Sequence, residues 1–252
     1  MKIDTHAHIW GPGLESPRNM QIIEACRRFS IEKVLISCVS EFGGYGPDEK
    51  DIKDSNDFLV GFMDKYSDLV RGMIYLNPRH ANSVEVMQKY LENPKMVGIK
   101  LWIAAYADEP CVNSIMEEAI RQDVPVLFHA WHKRVDQLEY EPDGVHVAAI
   151  ANRYPEAKII MAHLGGNYYH GIKAIRECPN VWVDISGTPD ERDAVDYALK
   201  HVGSRRILFG TDMPGIGLHN CIAQIDEADA TTEEKESMFY KNALRLFGRL
   251  SK

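Results

Sequence analysis

The sequence predicts an α/β fold, a single-domain (β/α)8 or TIM barrel spanning residues 1–252, on three observations. Eight short β-rich runs alternate with segments of helical period, the pattern of a parallel sheet with crossover helices. The chain length, 252 residues, is close to the roughly 250 of one such barrel. Four of the runs carry or lead into His or Asp at their C-terminal ends, the face on which barrels place their active sites.

The first run, Lys2–Ile9, reads Ile3-Asp4-Thr5-His6-Ala7-His8. Strand side chains alternate, so Asp4, His6 and His8 are expected to share the inward face and Ile3, Thr5, Ala7 and Ile9 to face the helices. Met20–Phe29 follows as a helix, with Ile22, Ile23, Cys26 and Phe29 along one side. After strand Lys33–Val39, the Gly- and Asp-rich stretch Phe42–Asp57 is expected to be a long loop. Strands then fall at Val70–Leu76, Val97–Trp102, Pro125–Ala130, Lys158–Ala162, Val181–Ile185 and Arg206–Gly210. Helical patterns fall at Ser83–Leu91, Val112–Arg121, Val145–Arg153 and Asp190–His201, with stop signals at Asn152–Pro155 and Cys178–Asn180. Thr231 followed by Glu234 is a capping box for a last helix reaching about Phe247. An open doubly wound sheet is the competing architecture, but no GxGxxG follows the first strand.

Composition narrows the function classes. The 29 basic and 37 acidic residues give a net charge of −8, and no Lys/Arg cluster interleaved with aromatics suggests nucleic acid as a partner. No apolar run reaches the roughly 18 residues of a membrane span, and no signal-peptide pattern opens the chain. The five cysteines are scattered without a CxxC pair, which fits a reduced, cytoplasmic protein. The expected partner is a small-molecule substrate, with homo-oligomer formation left open.

Two inward imidazoles two residues apart need a partner, and a divalent metal supplies one, because neutral imidazole is a good ligand. Alone, His-x-His is as readily a polar lining of a wet barrel mouth. Here the fifth run ends in Phe128-His129, the sixth in Ala162-His163, and the eighth leads into Thr211-Asp212, so ligand types converge from four strands. A Zn2+-class metal lowers the pKa of its water towards about 7 and polarises a carbonyl. Asp212 beside that water can act as base, and His163 can orient the water or stabilise an oxyanion. Asp4 is expected either to bond a ligand imidazole or to be structural.

Several segments resemble the amidohydrolase superfamily, in particular its amidohydrolase-related (amidohydrolase 2) group of metal-dependent hydrolases and non-oxidative decarboxylases. They are Ile3–His8, Gly98–Leu101, Leu127–His129, Met161–Gly166, Val181–Gly187, Phe209–Pro214 and Asn242–Phe247. The resemblance implies that His6, His8, His129 and Asp212 bind the metal and that His163 works on substrate or water. It also implies that a carboxylated Lys100 would bridge a second metal, with His163 as a ligand to it. One metal is expected, most simply Zn2+, with Lys100 uncarboxylated and facing substrate. An exposed lysine stays protonated well above neutral pH, whereas burial beside a cation would favour the carbamate. A buried, salt-bridged Lys100 would be structural.

Residues after the strands set specificity in such a fold. Arg79, Trp131, His132, Arg134 and Tyr168 are the expected substrate contacts beside Lys100, although surface residues of these types are often only solvated or packed. The leading functional expectation is hydrolysis of a small amide, ester or lactone. The alternative is decarboxylation of an unsaturated or aromatic acid with the same ligands. A non-catalytic metal-binding barrel is disfavoured by the presence of both Asp212 and His163.

Overall fold

A computed structural model describes residues 1–11, 13–39, 44–187, 193–215 and 217–250. Eight parallel strands lie in the order β1 to β8: Ile3–His8, Lys33–Ser37, Val70–Leu76, Met96–Leu101, Val126–Phe128, Ile159–Met161, Val181–Asp184 and Ile207–Leu208. Beyond β8 the chain keeps running beside β1. Asp212 donates its backbone N–H to His6 O at 2.7 Å, and His8 donates to Met213 O at 2.8 Å. These bonds close the ring and lay Asp212 against the two histidines of β1.

The expected barrel is found, with two differences from the reading of its first third. Phe42–Asp57 is not one loop: helix α2, Glu49–Lys65, begins inside it, while Phe42 and Gly43 lie outside the described residues. Asp48 caps it in a reciprocal box with Asp51. The buried positions Ile52, Ser55, Asn56, Leu59, Phe62 and Met63 trace a helical face that the acidic and Gly-rich composition obscured. The second difference is a register shift between Asp4 and Ala7 in the β1–β2 pairing. Strict alternation therefore fails. Ile3 joins the apolar cluster inside the barrel, Ala7 and Ile9 join the cluster beneath the helices, and Asp4 no longer shares the face of His6 and His8.

The interior cluster takes Ile3, Leu35, Met73, Val97, Leu127, Ile160 and Leu208 from successive strands, with half-buried Trp182 standing on β7. Ala243, Leu246, Phe247 and Leu250, from and just after helix α10 (Asn242–Leu246), plug its lower end. That leaves the opposite end, where strands finish, to polar residues. Helices α1 (Pro17–Arg28), α3 (Ser83–Leu91), α4 (Asn113–Arg121), α5 (Gly144–Arg153), α6 (Tyr168–Ile175), α7 (Ala194–Val202), α8 (Leu218–Asp226) and α9 (Thr232–Glu236) complete the outer layer with α2 and α10. The Thr231–Glu234 capping box is present, and a π turn over Ser237–Lys241 joins α9 to α10. The first residues of the expected helix Asp190–His201 lie outside the described segments. No helix among the described residues is long and apolar enough to cross a membrane.

Candidate metal centre

His6 and His8 project from the end of β1, 1% and 6% exposed, and their Nε2 atoms stand 3.1 Å apart. Asp212 Oδ1 lies 3.1 Å from His8 Nε2 and 3.8 Å from His6 Nε2. These three side chains offer ligand atoms all within 4.8 Å of one another, as do His6, His163 and Asp184. His129 follows β5 directly, and its Nδ1 lies 3.2 Å from His163 Nε2. His163 sits in a 3₁₀ turn after β6 with φ +60°, and Asp212 also has φ +60°. Two non-glycine residues in the left-handed region, both at strand ends, mark backbone held in a costly shape by its surroundings. Gly187, at φ +62°, leaves room for this: a Cβ there would lie 2.5 Å from His163 Nδ1.

The outer ring nitrogens are held by acceptors. His6 Nδ1 donates to Asp184 Oδ2 at 2.9 Å, and His129 Nε2 donates to Glu141 Oε1 at 3.1 Å. His163 Nδ1 donates to Ser186 O at 3.0 Å, and His8 Nδ1 lies 3.2 Å from Ser37 O. The proton positions follow from these partners. With protons on those atoms, His129 Nδ1 and His163 Nε2 face each other as bare lone pairs at 3.2 Å. Neither can donate to the other, so the pair calls for a cation between or beside them. Burial also drives His6 well below the usual histidine pKa, lowers His129, and takes His163 to about 4. Neutral imidazole is the metal-binding form. For Asp212, burial is outweighed by the bond to His8 and the charges of the neighbouring histidines, and the carboxyl is held far below its ordinary range. The residues present therefore fit a divalent metal.

The expected contrast between His129 as ligand and His163 as a separate catalytic group is not drawn by this geometry, since both aim one nitrogen at the same space. The carboxylate on the His6 imidazole is Asp184, not Asp4. Asp4 instead accepts from Thr211 Oγ1 at 2.6 Å and from the His6 and Thr211 backbone at 3.1 Å, and burial raises its pKa to about 7. Asp184 Oδ1 takes the His163 backbone N–H at 3.0 Å, so one carboxylate braces two histidines. Lys100 is not exposed: it is 1% accessible, with Nζ 2.9 Å from His6 Nε2, and burial lowers its pKa to about 8 despite the charges of Asp212 and Asp184. The exposure that would have kept it protonated well above neutral pH is absent.

Above the cluster is a cavity of about 400 Å³ lined by His8, Trp10, Arg18, Lys100, Trp102, His129, Trp131, His163 and Asp212, among others. Of the expected substrate contacts, Lys100 and Trp131 are there. Arg79 is not: its Nη2 donates to both Glu109 oxygens at 2.9–3.0 Å, and its Nε donates to Ala104 O at 2.7 Å. His132 is also outside the lining, stacked on His170 at 4.4 Å and 3.4 Å from Asp143. Arg134 is exposed and absent from the lining, and Tyr168 opens helix α6 rather than a loop, its ring 5.4 Å from Tyr197. The sequence reading missed Trp10, Arg18 and Trp102. Asn19 holds both backbone polar groups of Trp10, at 2.8 and 2.9 Å, and the Arg18 guanidinium lies 4.1 Å over the Trp10 ring.

Comparison with known proteins agrees with this architecture. A 2,6-dihydroxybenzoate decarboxylase from Rhizobium is 18% identical, with a TM-score of 0.78 over 100% of this chain and 99% of its own. A dihydroxybenzoic acid decarboxylase from a Polaromonas strain, solved with bound manganese and 2-nitroresorcinol, is 16% identical, with a TM-score of 0.78 over 100% and 97%. A 4-oxalomesaconate hydratase from Rhodopseudomonas palustris is 16% identical, with a TM-score of 0.74 over 100% and 97%. Among curated proteins, no relative matches the sequence. At these identities the structural likeness speaks to fold alone, but the family model for amidohydrolases matches residues 3–249, and the chain belongs to the amidohydrolase family.

Proposed function

We propose that this chain is a metal-dependent decarboxylase of a small aromatic or unsaturated carboxylic acid. The observation that carries the reading is the lining of the cavity: three indoles, Trp10, Trp102 and Trp131, with two cations, Arg18 and Lys100. Indole faces suit a flat unsaturated body. Cations suit a carboxylate, and Arg binds one in bidentate fashion. Amide or lactone hydrolysis would not need that pair of cations. The order of the two expected activities is thus reversed, with hydrolysis second. The decarboxylases among the similar folds lend the same reading support.

His6, His8 and Asp212 would hold the metal, with His129 as a further ligand. When bound, a divalent cation supplies Lewis-acid polarisation of substrate oxygens. A donor set rich in imidazole favours zinc, and the manganese of the Polaromonas protein is the competing occupant. In the reaction the bond between the substrate carbon and its carboxylate breaks. The electron pair stays on the carbon, which takes a proton, and CO2 leaves. Asp212 and His163 line the cavity, and in this reading they accept that proton and pass it on to the carbon. Arg18 and the indole walls fix the orientation of the acid over them.

The test is a panel of hydroxylated benzoates and unsaturated acids labelled at the carboxyl carbon, run beside lactones and amides with the metal-loaded protein. Release of labelled CO2, with solvent deuterium at the vacated carbon, is the expected result. Turnover of a lactone or amide with no CO2 from any acid would overturn the proposal.

A further inference from the structure

The loop from Trp131 to Asp143 contains a carboxylate that a surface loop has no ordinary reason to bury. Glu141 is 2% exposed. Its Oε1 accepts from His129 Nε2 at 3.1 Å and from Lys133 Nζ at 2.9 Å. Its Oε2 accepts from Lys133 Nζ at 2.7 Å, Gln137 Nε2 at 2.8 Å and the Leu138 backbone at 3.3 Å. Gln137 also donates to Trp131 O at 2.8 Å, and Trp131 donates its own N–H to Pro142 O at 2.8 Å. One carboxylate therefore joins the outer nitrogen of His129 to the loop that carries an indole wall of the cavity.

We infer that Glu141 is a positioning residue that couples metal occupancy at His129 to closure of the 131–143 loop over the cavity. This rests on the reading of His129 as a metal ligand. The physical link has two parts. A carboxylate on Nε2–H fixes the tautomer that leaves Nδ1 bare, fixes the ring plane, and makes the ring a stronger ligand. The same carboxylate is the acceptor for Lys133, Gln137 and the Leu138 N–H. A shift of the His129 ring on metal binding is passed directly to three anchors of the loop. By thermodynamic reciprocity, anything that orders the loop, such as a substrate against Trp131, tightens the metal. Neither Glu141 nor Lys133 lines the cavity, so the effect runs through His129 and Trp131.

The experiment uses the full chain with Zn2+ or Mn2+ as the probe. Metal affinity is measured by competition with a chelator, and amide hydrogen exchange is followed in residues 131–143 with and without metal. The wild type is expected to show slowed exchange in this loop on metal binding. Glu141→Ala is expected to bind metal about 10–100-fold more weakly and to lose the metal-dependent slowing. Glu141→Gln, which keeps an acceptor oxygen and the side-chain volume, is expected to fall between the two, and it carries the test if the alanine variant does not fold. In a His129→Ala background the Glu141 substitution is expected to have no further effect on affinity, which separates positioning through His129 from general loosening. Wild-type affinity in both Glu141 variants, or loop exchange indifferent to metal in the wild type, would overturn the inference. These readouts are independent of turnover, so a protein that binds metal in this way yet releases no CO2 would refute only the proposed activity.

Discussion

The floor of the cavity and its rim use the same residue types in opposite ways. On the floor, the outer nitrogens of His6, His129 and His163 are bonded to fixed acceptors, and their inner nitrogens are left facing the centre. On the rim, polar side chains largely complete one another: Arg79 with Glu109 and Ala104, His132 with Asp143, Asp143 with His146. A polar side chain in a barrel mouth is available for chemistry when the bonds it needs for orientation leave one atom over. At the floor the acceptors come from neighbouring strand ends or from a loop carboxylate that is itself buried, and they leave that atom. At the rim the partner is another rim residue, and none of Arg79, His132, Asp143 and His146 lines the cavity. Preorganisation of this kind is what positions a site to within a fraction of an ångström.

The largest expected effect tests the floor. Asp212→Asn keeps an oxygen near His8 but cannot accept a proton and pass it on as the carboxylate can. Metal content is expected to stay near that of the wild type while turnover falls by roughly 10²–10⁴-fold, the usual worth of a positioned acid or base. Metal analysis and rate are measured on the same preparation. Near-normal turnover in the metallated variant would remove Asp212 from proton transfer.

The next effect sets one arginine against another. Arg18 lines the cavity, whereas Arg79 is committed to Glu109. Arg18→Met is expected to raise KM for the acid by about 10-fold or more, the loss of one charge-assisted contact of about 1.5–3 kcal/mol, with little change in Tm. Arg79→Met is expected to leave KM alone and to lower stability by at most about 1 kcal/mol, since the ion pair is partly exposed. That amounts to about 2–4 °C in Tm for a chain of this size. Steady-state kinetics and thermal unfolding of the two variants decide it. A KM effect confined to Arg79 would invert the assignment of floor and rim.

The same division explains what the sequence made legible. Alternation along the first strand set His6 and His8 on one face, and standing at the ends of their runs assigned His129 and Asp212 to the same mouth, so all four were legible in the sequence. Continued two residues beyond His8 and Lys100, that alternation also reaches Trp10 and Trp102. Asp4 was misplaced because a bulge carries no one-residue signature within Ile3-Asp4-Thr5-His6. Asp184 had a signal, an ionisable residue closing the apolar run Val181-Trp182-Val183, but no sign of its partner, which is 178 positions away. Glu141 and Arg18 had none, because their roles depend on how loops fold back over the barrel. Helix α2 was hidden by composition although its Asp48 and Asp51 cap was in plain view. Periodic elements announce themselves locally, while rim contacts are settled by tertiary packing.

The smallest effect concerns the rim, where a pH-dependent contribution to stability is expected without involvement in catalysis. Asp143 caps helix α5 and bonds His146 Nδ1 at 2.8 Å, with His132 Nδ1 at 3.4 Å. The bond to Asp143 raises His146 above its ordinary 6.5, helped by the charges of Asp108 and Glu109, and Tyr106 stacks on its ring at 4.5 Å. Asp143 in turn is held well below the usual carboxylate range, chiefly by His146. A histidine with a raised folded pKa binds a proton more tightly when folded. Its contribution is therefore fully present below pH 6.5 and is lost as the pH rises through the higher folded value. The aspartate half acts at the other end of the scale, lost only as the pH falls through its depressed folded value. Wild type and His146→Gln are expected to differ by a few tenths to about 1 kcal/mol at pH 5.5, in the range of partly exposed ion pairs, with the gap closing by about pH 8.5 as the histidine loses its charge. Urea unfolding at the two pH values measures it, and taking the difference between proteins cancels the titration of every group the two share. A gap of the same size at both pH values would show that His146 acts by packing against Tyr106 and not by its charge.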